Sequence, residues 1–536
     1  MKLSFQKPTR WNLKRLYPNE SVQALSMELS ELKKMLSQLK NKKTFKLNSE
    51  QFIDEQTLQS LSDMRSRLEK AYYYCYCLQS EATDQTKLTL LHNEISSIKS
   101  DFRSLVKPFI TDLDTATNNE IEEKIINFTK NELSHWNQMY IQLKKKLKMN
   151  MNDGDQKLTE EEKDLFATVL NHVARLRLVQ NQNTNKSSIL SESLELNGIS
   201  HKTLQTMWGV IEKNLANLTL LLDFKKKEEN IHSWDQFMNE NQKDQTEISF
   251  SKAVEKIYYS LEKVDVEMAQ FVLKAIKDDW VDAEPRRDKP QGGFCVPFIQ
   301  DGESRISLNF NGTVKSARIL AHELGHAWHF KQMKDKSALT FLDDHLPMSI
   351  AECSSIFFEI IFLDHLIESS DQSAKKSLLN YKLQNSINYL MAVRGAFMFE
   401  QLFYEKSKNG ALKAADIELL SIQSQKKAFG DSLDQYQPSI WIKYGHFYEP
   451  NIPFYNYPYT FGYLLSLGLS VIAKENGNDF KPKFKIFLSE TGKKPVKELL
   501  QEHFHIDIEN PEFWQQSIHL IFKDIKEYIS IVEDTI

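Results

Sequence analysis

One short segment of the sequence carries the residue types of a metal-dependent hydrolase. Its pattern is H-E-x-x-H, from His322 to His326, within TVKSARILAHELGHAWHF. Side chains at i and i+4 share one face of a helix, so His322 and His326 can direct two imidazoles at one point. Zinc accepts such nitrogens at about 2.0–2.1 Å, and Glu323 would project beside the metal, where it can take a proton from water. The pattern therefore predicts a zinc site with Glu323 as the general base.

A catalytic zinc also needs a third protein ligand and one open coordination position. The extended pattern H-E-x-x-H-x-x-G-x-x-H is excluded, because His329 and Gln332 occupy its last two positions. A glutamate one short helical hairpin downstream is also excluded, because His345 and Leu346 stand there.

The next apolar segment, MSIAECSSIFFEIIFLDHL, offers two carboxylates, Glu352 and Glu359. A carboxylate on so apolar a helix costs free energy unless it is paired or bound to metal. Glu352 is the candidate third ligand. Glu359 lies two helical turns further along the same face, and one of the two can ligate while the other accepts a hydrogen bond from a ligating histidine. The alternatives are a solvated helix face and three rival ligands in the preceding polar loop, namely Asp343, Asp344 and His345.

The elements around this site are predicted to be mostly α-helical. The 536 residues include only 16 Gly and 14 Pro, and apolar residues recur at helical spacing over Val22–Lys40, Asn118–Lys148 and Thr203–Phe224. Thr159 and Glu162 form a capping-box pattern that would begin another helix.

One strand is predicted directly before the H-E-x-x-H helix. Arg305–Phe310 reads RISLNF, and its alternation of apolar and polar residues is typical of a half-buried strand. Asn311-Gly312 then favours a turn, and Thr313 can cap the helix. A polar stretch from Gln180 suggests a boundary between a helical region, residues 1–185, and a larger region, residues 186–536, that holds the chemistry.

Composition excludes several classes of function. Lys and Arg number 68 against 73 Asp and Glu, for a formal net charge of −5. This balance provides no basic surface for nucleic acid or for an anionic membrane. The sequence has no long apolar run and no apolar leader pattern, and its four cysteines do not suggest a disulfide framework. We expect a cytoplasmic protein.

These segments together resemble the thimet-oligopeptidase (M3) family of zinc metallopeptidases, and in particular its oligoendopeptidase F branch. The resemblance rests on HELGH followed after 25 residues by Glu352 in AECSSIFFE. It extends to WNLKRLYPNE, DWVDAEPRRDKPQGGFC, ISLNFNGT, LAHELGHAWH and GHFYEPNIPFYNYPYTFGYLLS, and so covers most of the chain.

The resemblance implies a zincin-type helical ellipsoid with a deep central channel, a small β-sheet beside the zinc helix, and one Zn²⁺ per chain. It implies that the strand RISLNF lies along the substrate, as an edge strand could. A peptidase also needs donors for the oxyanion of its tetrahedral intermediate. By resemblance these are His446 and Tyr459, with Tyr455 and Tyr457 as rivals.

The predicted function is therefore zinc-dependent endopeptidase activity on short oligopeptides in a size-limiting channel. Two alternatives stay open from the sequence. One is a related metallocarboxypeptidase that trims peptide C-termini, and the other is a non-catalytic helical scaffold with a chance H-E-x-x-H. The sequence leaves the oligomeric state undetermined.

Overall fold

The structure is a computed structural model. It describes residues 8–17, 22–41, 55–81, 86–106, 116–147, 158–184, 186–239, 247–286, 289, 292–333 and 346–534.

Helices make up most of the described chain. The first group is α1 Val22–Asn41, α2 Glu55–Glu81, α3 Thr86–Val106, α4 Ala116–Lys146, α5 Glu160–Asn183, α6 Ile189–Leu196, α7 His201–Lys213, α8 Leu215–Glu229, α9 Trp234–Asn239, α10 Phe250–Glu262 and α11 Val266–Lys277. Three strands follow, β1 Val281–Asp282, β2 Gly293–Phe298 and β3 Glu303–Leu308. The second group is α12 Val314–Gln332, α13 Met348–Glu368, α14 Gln372–Ile387, α15 Val393–Ser407, α16 Ala414–Ala428, α17 Ile440–Lys443, α18 Tyr457–Glu475, α19 Gly477–Ser489, α20 Val496–Phe504 and α21 Pro511–Glu533.

Local sequence signals account for several of these boundaries. Thr159 and Glu162 form the predicted capping box at the start of α5, and the helix predicted from Val22 is α1. The helical spacing over Thr203–Phe224 corresponds to two helices, because the chain breaks at Asn214 into α7 and α8. The Asn214 side chain donates to the Val210 carbonyl at 2.8 Å and to Gln515 of α21 at 2.7 Å. Asparagine favours such local bonding over continuing a helix, so the interruption also serves as a contact to α21.

The three strands form one small sheet in the order β1-β3-β2. β1 runs parallel to β3, with Val281 opposite Ile306, and β2 runs antiparallel to it from Gly293, opposite Leu308, to Phe298. The predicted strand before the H-E-x-x-H helix is present as β3. It is the central strand, however, so the expectation that it presents a free edge to a substrate is wrong, and β2 lies at the edge instead.

β3 is also more buried than its alternating pattern predicted. Arg305 and Ser307 lie on the polar face, yet both are buried. The N-terminal segment covers that face, and the Arg305 guanidinium donates to the carbonyls of Asn12 at 3.0 Å and Ser304 at 2.8 Å and pairs with Glu303 at 2.9 Å. The terminal nitrogens of Arg305 are therefore partnered by backbone acceptors and a carboxylate rather than by solvent.

The buried apolar side chains fall into two clusters. One joins residues of α1–α3 to Val296 and Phe298 of β2. The other runs from Tyr140 in α4 to the C-terminal helix α21 and includes α12, α13 and α18. Helices α4 and α5 thus pack with the second cluster, whereas the predicted boundary near residue 185 would separate them from it. That boundary stays a prediction.

Two glycines bring the three helices of the central layer into backbone contact. A Cβ on Gly325 of α12 would lie 2.7 Å from both the Ser354 carbonyl oxygen and the Ser355 Cα of α13. A Cβ on Gly462 of α18 would lie 3.0 Å from the Cβ of Glu352. Because a larger residue at either position would meet atoms of α13, Gly325 allows the close approach of α12 to α13, and Gly462 allows that of α18 to α13.

No helix among the described residues combines the length and the apolar character needed to cross a lipid bilayer.

We predict that Gly325→Ala lowers the free energy of unfolding by about 1–3 kcal/mol, because the added methyl forces α12 and α13 apart. Gly209→Ala is the matched control, since Gly209 lies within α7 and an added Cβ meets no atom within 4 Å. The control should gain about 0.5–1 kcal/mol from the better helix former. Urea unfolding followed by circular dichroism measures both changes, and an equal gain in the two variants would contradict the close packing.

Candidate metal centre

Three elements converge on the candidate site, and each begins at a defined signal. α12 begins at Thr313, whose hydroxyl accepts the Ser316 N–H at 3.2 Å, as predicted. α13 begins after Pro347, and α18 has Pro458 in its first turn, where a missing N–H costs nothing.

The two histidines and Glu352 lie together at the contact of α12 and α13. The His322 and His326 Nε2 atoms are 3.1 Å apart. One Glu352 carboxylate oxygen, Oε2, lies 3.5 Å from the first nitrogen and 3.8 Å from the second. These three donor atoms all lie within 4.8 Å of one another. Two imidazoles and a carboxylate are a donor set that suits zinc, so the residues present fit the expected metal.

A second group of potential ligands, Glu490, Glu502 and His503, occurs among the described residues. Its groups are already engaged, since His503 contacts Glu490 at 2.8 Å and Lys494 donates to Glu502 at 2.6 Å. Glu502 is also exposed. The cluster at His322 is therefore the better metal candidate.

A buried network supports His322 from behind. Its Nδ1 contacts a carboxylate oxygen of Glu359, and the other oxygen of that carboxylate pairs with the Arg318 guanidinium. Arg318 Nε also donates to the Tyr381 hydroxyl at 2.6 Å. Glu352 is held separately by the Ser355 hydroxyl, which donates to Oε2 at 3.1 Å. Sequence reasoning identified Glu359 but missed Arg318, although its position four residues before His322 puts it on the same helix face.

Burial and neighbouring charges shift the acid–base groups of the site in different directions. Burial raises the pKa of Glu323 to about 7, against an opposing effect of His322. Burial also raises the pKa of Glu352. For Glu359 the raising effect of burial is outweighed by Arg318 and His322, so its pKa falls. Burial lowers the pKa of His322, but the charge of Glu359 and its hydrogen bond outweigh burial, so that the pKa of His322 rises to about 9. These shifts favour the ionised form of Glu359 and, through burial, the neutral form of Glu323.

The edge strand β2 lies directly against Glu323. A Cβ on Gly293 would be 2.7 Å from the Glu323 Oε1 atom and 2.7 Å from the side chain of Ile319. Glu323 itself is only 4% exposed. The glycine therefore lets the strand backbone pass over the candidate base, and any larger residue there would collide with it.

Two of the three predicted tyrosines, Tyr455 and Tyr459, lie near Glu352 of the candidate metal centre. The rings of Tyr455 and Tyr459 are 6.1 Å apart, and the His446 ring stacks on Tyr455 at 4.8 Å. Burial, and after it the charge of Glu352, raise the pKa of Tyr459. Tyr459 is thus close enough to the candidate ligand to respond to its charge, while His446 lies at the exposed end of the row.

Tyr457 points elsewhere. It is fully buried, and its hydroxyl donates to the Ser193 carbonyl of α6 at 3.1 Å. It therefore ties α18 to α6, and the structure does not bring it to the candidate metal centre.

A further tyrosine, Tyr389, was missed by sequence reasoning. It lies in a π-helical turn, Asn388–Ala392, between α14 and α15, and its ring packs on Tyr463 at 4.8 Å. Burial, followed by the charge of Glu359, raises its pKa. Such turns are frequent at functional sites, but a single sequence gives no pattern for them.

The three rival ligands Asp343, Asp344 and His345 lie outside the described residues.

Comparison with known proteins agrees with the fold. The model of Peptidase family M3 matches residues 141–520, which is more than half of the chain. The chain belongs to Peptidase family M3.

Curated relatives carry the name expected from the sequence. The chromosomal oligoendopeptidase F of Lactococcus lactis subsp. cremoris is 26% identical over 220 residues, covering 40% of this chain and 35% of the relative. The oligopeptidase PepF of Bacillus subtilis is 21% identical over 377 residues, covering 69% and 55%. The chain thus spans between about a third and about half of the length of these relatives. The crystal structure of oligoendopeptidase-F from Enterococcus faecium has a TM-score of 0.60 at 14% identity, covering 96% of this chain and 99% of that one, so the fold is shared.

We predict that Arg318→Met lowers the free energy of unfolding by about 3–5 kcal/mol, because it removes the main cationic partner of the buried Glu359. Urea unfolding in the presence of a chelator measures the loss. Since the pKa of Glu359 is lowered in the fold, the pair stabilises above the unfolded glutamate's pKa of about 4.3 and its contribution is lost as the pH falls through the folded value. The difference from the unmodified protein should therefore shrink in acid.

Lys34→Met is the control for that variant, since its ion pair with Glu31 lies on the surface. It should leave the unfolding midpoint unchanged. Equal effects of the two variants would show that the Arg318–Glu359 pair has no special role.

Proposed function

We propose that this chain is a zinc-dependent endopeptidase that acts on short oligopeptides. The observation that carries the proposal is the convergence of two imidazoles and one carboxylate, with donor atoms within 4.8 Å of one another, on a helix pair that also carries a buried glutamate. Membership of Peptidase family M3 supports the reaction class.

His322, His326 and Glu352 would hold the metal. A zinc ion held there would polarise the scissile carbonyl and make a water molecule more acidic. Glu323 would take a proton from water and later give it to the leaving amine. Glu359 acts through His322, whose Nδ1 it holds, and so fixes the orientation of the ring.

Tyr459 is the proposed donor to the oxyanion, with Tyr455 and His446 beside it. The position of Tyr459 near Glu352 and the short row of rings from Tyr459 to His446 support this choice. Burial keeps the Tyr459 hydroxyl protonated, which a donor requires. Tyr457 is not proposed for this role, because its hydroxyl is bonded to Ser193.

An extended peptide could bind along the outer edge of β2. Among the described residues β2 pairs only with β3, so its other edge has backbone groups available for a peptide strand. Helices α1–α3 pack on the same strand through Val296 and Phe298. We propose that they wall a channel that admits flexible chains of roughly five to twenty residues.

The four cysteines, all free, are compatible with a reducing cytoplasm.

The function is tested by mass spectrometry of end-blocked peptides of about ten residues, incubated with the protein and with Glu323→Gln. Internal cleavage is expected, and the variant should lose about 10²–10⁴-fold in rate while keeping its metal, because only the proton acceptor is removed. Cleavage of free but not end-blocked peptides would favour a carboxypeptidase, and absence of cleavage would favour a scaffold. A folded protein cut as fast as its tryptic fragments would contradict the channel.

We predict about one zinc per chain, lost together with activity on chelation. His322→Ala and Glu352→Ala should each reduce bound zinc sharply, because three ligands are the minimum that leaves one position open. Inductively coupled plasma mass spectrometry measures the metal, and Glu502→Ala, in the rival cluster, is the control. Full zinc retention by Glu352→Ala would move the third ligand elsewhere, and Asp343 and Asp344 would then be tested.

We predict that Tyr459→Phe lowers kcat with little change in KM. The loss in kcat should correspond to about 2.7–4 kcal/mol of transition-state stabilisation. Steady-state kinetics on one blocked peptide measures both constants. Tyr457→Phe is the matched control, since it also removes one hydroxyl from α18 but should affect stability alone. If Tyr455→Phe gives the kcat effect instead, the donor is Tyr455 rather than Tyr459.

A further inference from the structure

The segment that carries the candidate tyrosines contains a strained residue. Phe454 has a φ of 54°, in the left-handed region that favours glycine. A bulky side chain adopts this conformation only when its surroundings enforce it. Tyr455 follows directly, so the bend of the backbone at Phe454 affects where the Tyr455 side chain points.

A buried carboxylate on a neighbouring helix holds this residue. Glu400 of α15 accepts the Phe454 N–H at 2.8 Å, and it is 4% exposed. The Phe454 ring packs on two rings of the same helix, Phe397 at 5.3 Å and Tyr404 at 5.6 Å. α15 thus grips Phe454 at both its backbone and its side chain.

Other buried groups fix the chain before Phe454 but do not explain its conformation. Arg177 of α5 donates to the Glu449 carbonyl, and Asn137 of α4 donates to the Tyr448 carbonyl at 3.0 Å. These contacts locate the start of the segment. The hydrogen bond to Glu400 is made by the strained residue itself.

Glu400 is not explained by the packing of the core. An apolar residue would fill its place without the desolvation that a carboxyl group costs. Burial raises its pKa to about 7, and the Phe454 hydrogen bond, Arg177 and Tyr404 oppose that rise. An oxygen of the group can accept an N–H in either protonation state, so accepting the Phe454 N–H does not depend on charge.

We propose that Glu400 is a positioning residue for the candidate active site: by holding Phe454 in its left-handed conformation, it sets the direction of Tyr455 and, through it, of Tyr459. The Tyr455 and Tyr459 rings are in the same row as His446. The kinetic part of this inference rests on the proposed peptidase function. The conformational part does not.

The test compares Glu400→Met, Glu400→Gln and Glu400→Asp. Methionine fills the space without an acceptor, and aspartate keeps the charge but is one methylene too short. Both should lower kcat on a blocked peptide by on the order of tenfold to a hundredfold, with little change in KM, because misplaced donors matter mainly in the transition state. Glutamine keeps an acceptor at the same distance and should retain kcat.

A second substitution identifies the strain as the cause. Glycine adopts positive φ freely, so Phe454→Gly introduced into Glu400→Met should recover part of the lost kcat. Hydrogen exchange of peptides covering residues 446–459, followed by mass spectrometry, provides a readout without catalysis. Exchange should rise in Glu400→Met and Glu400→Asp and stay unchanged in Glu400→Gln.

The outcomes distinguish a failure of the positioning role of Glu400 from a failure of the proposed peptidase function. Faster exchange in the methionine and aspartate variants of a protein that cleaves no peptide would keep the positioning role and reject the peptidase. If Glu400→Met does not fold, Glu400→Asp alone decides the question. Normal exchange and normal kcat in Glu400→Asp, or loss of kcat in Glu400→Gln equal to that in Glu400→Met, would overturn the proposal.

Discussion

The burial of three carboxylates beside two imidazoles is the constraint on which the candidate site depends. Glu323, Glu352 and Glu359 are each less than a tenth exposed, and an uncompensated charge at such depth is costly. The surroundings offset this cost differently for each carboxylate. Glu359 has Arg318 and His322, and its pKa falls, whereas burial outweighs the effects of His322 and Arg318 on Glu323, and its pKa rises. Two groups of the same chemistry are thereby separated into a permanent anion and a group that can exchange a proton near neutral pH.

The remaining negative group, Glu352, shows what the donor set lacks without a metal. Its carboxylate faces both imidazoles at 3.5 and 3.8 Å and otherwise receives the Ser355 hydroxyl. A divalent cation held by the same atoms would add positive charge beside this carboxylate. The chemistry of the donor set and the electrostatics of the site therefore point to the same kind of ligand.

Much of the fold and part of the site could be predicted from the sequence because the signals are local. The Thr159 and Thr313 caps, the helix from Val22 and the strand before the H-E-x-x-H helix follow from spacing within a few residues. The candidate ligand pair His322 and His326 is also local, and Glu352 was predicted because a carboxylate in an apolar helix costs free energy unless it is paired or bound to metal. The break at Asn214 depends on Gln515, about three hundred residues away in sequence, and the central position of β3 depends on pairing with β1 and on the N-terminal segment. Such contacts leave no periodic signal in one sequence.

The tyrosines illustrate the same limit within a single segment. Tyr455, Tyr457 and Tyr459 are spaced by two residues, and nothing in their types distinguishes them. They are distinguished by the left-handed residue Phe454 and by the start of α18 at Tyr457, which turn one hydroxyl toward Ser193 and leave the other two beside Glu352. Both features depend on neighbouring helices, so the direction of each side chain could not be read from alternation.

The strand β2 links the apolar cluster of α1–α3 to the candidate metal centre. Val296 and Phe298 are part of the apolar cluster of α1–α3, while Gly293, at the other end of the strand, touches Glu323. A strand of six residues is about 20 Å long and stiff along its axis. The strand therefore joins the packing of α1–α3 at one end to the backbone position beside Glu323 at the other.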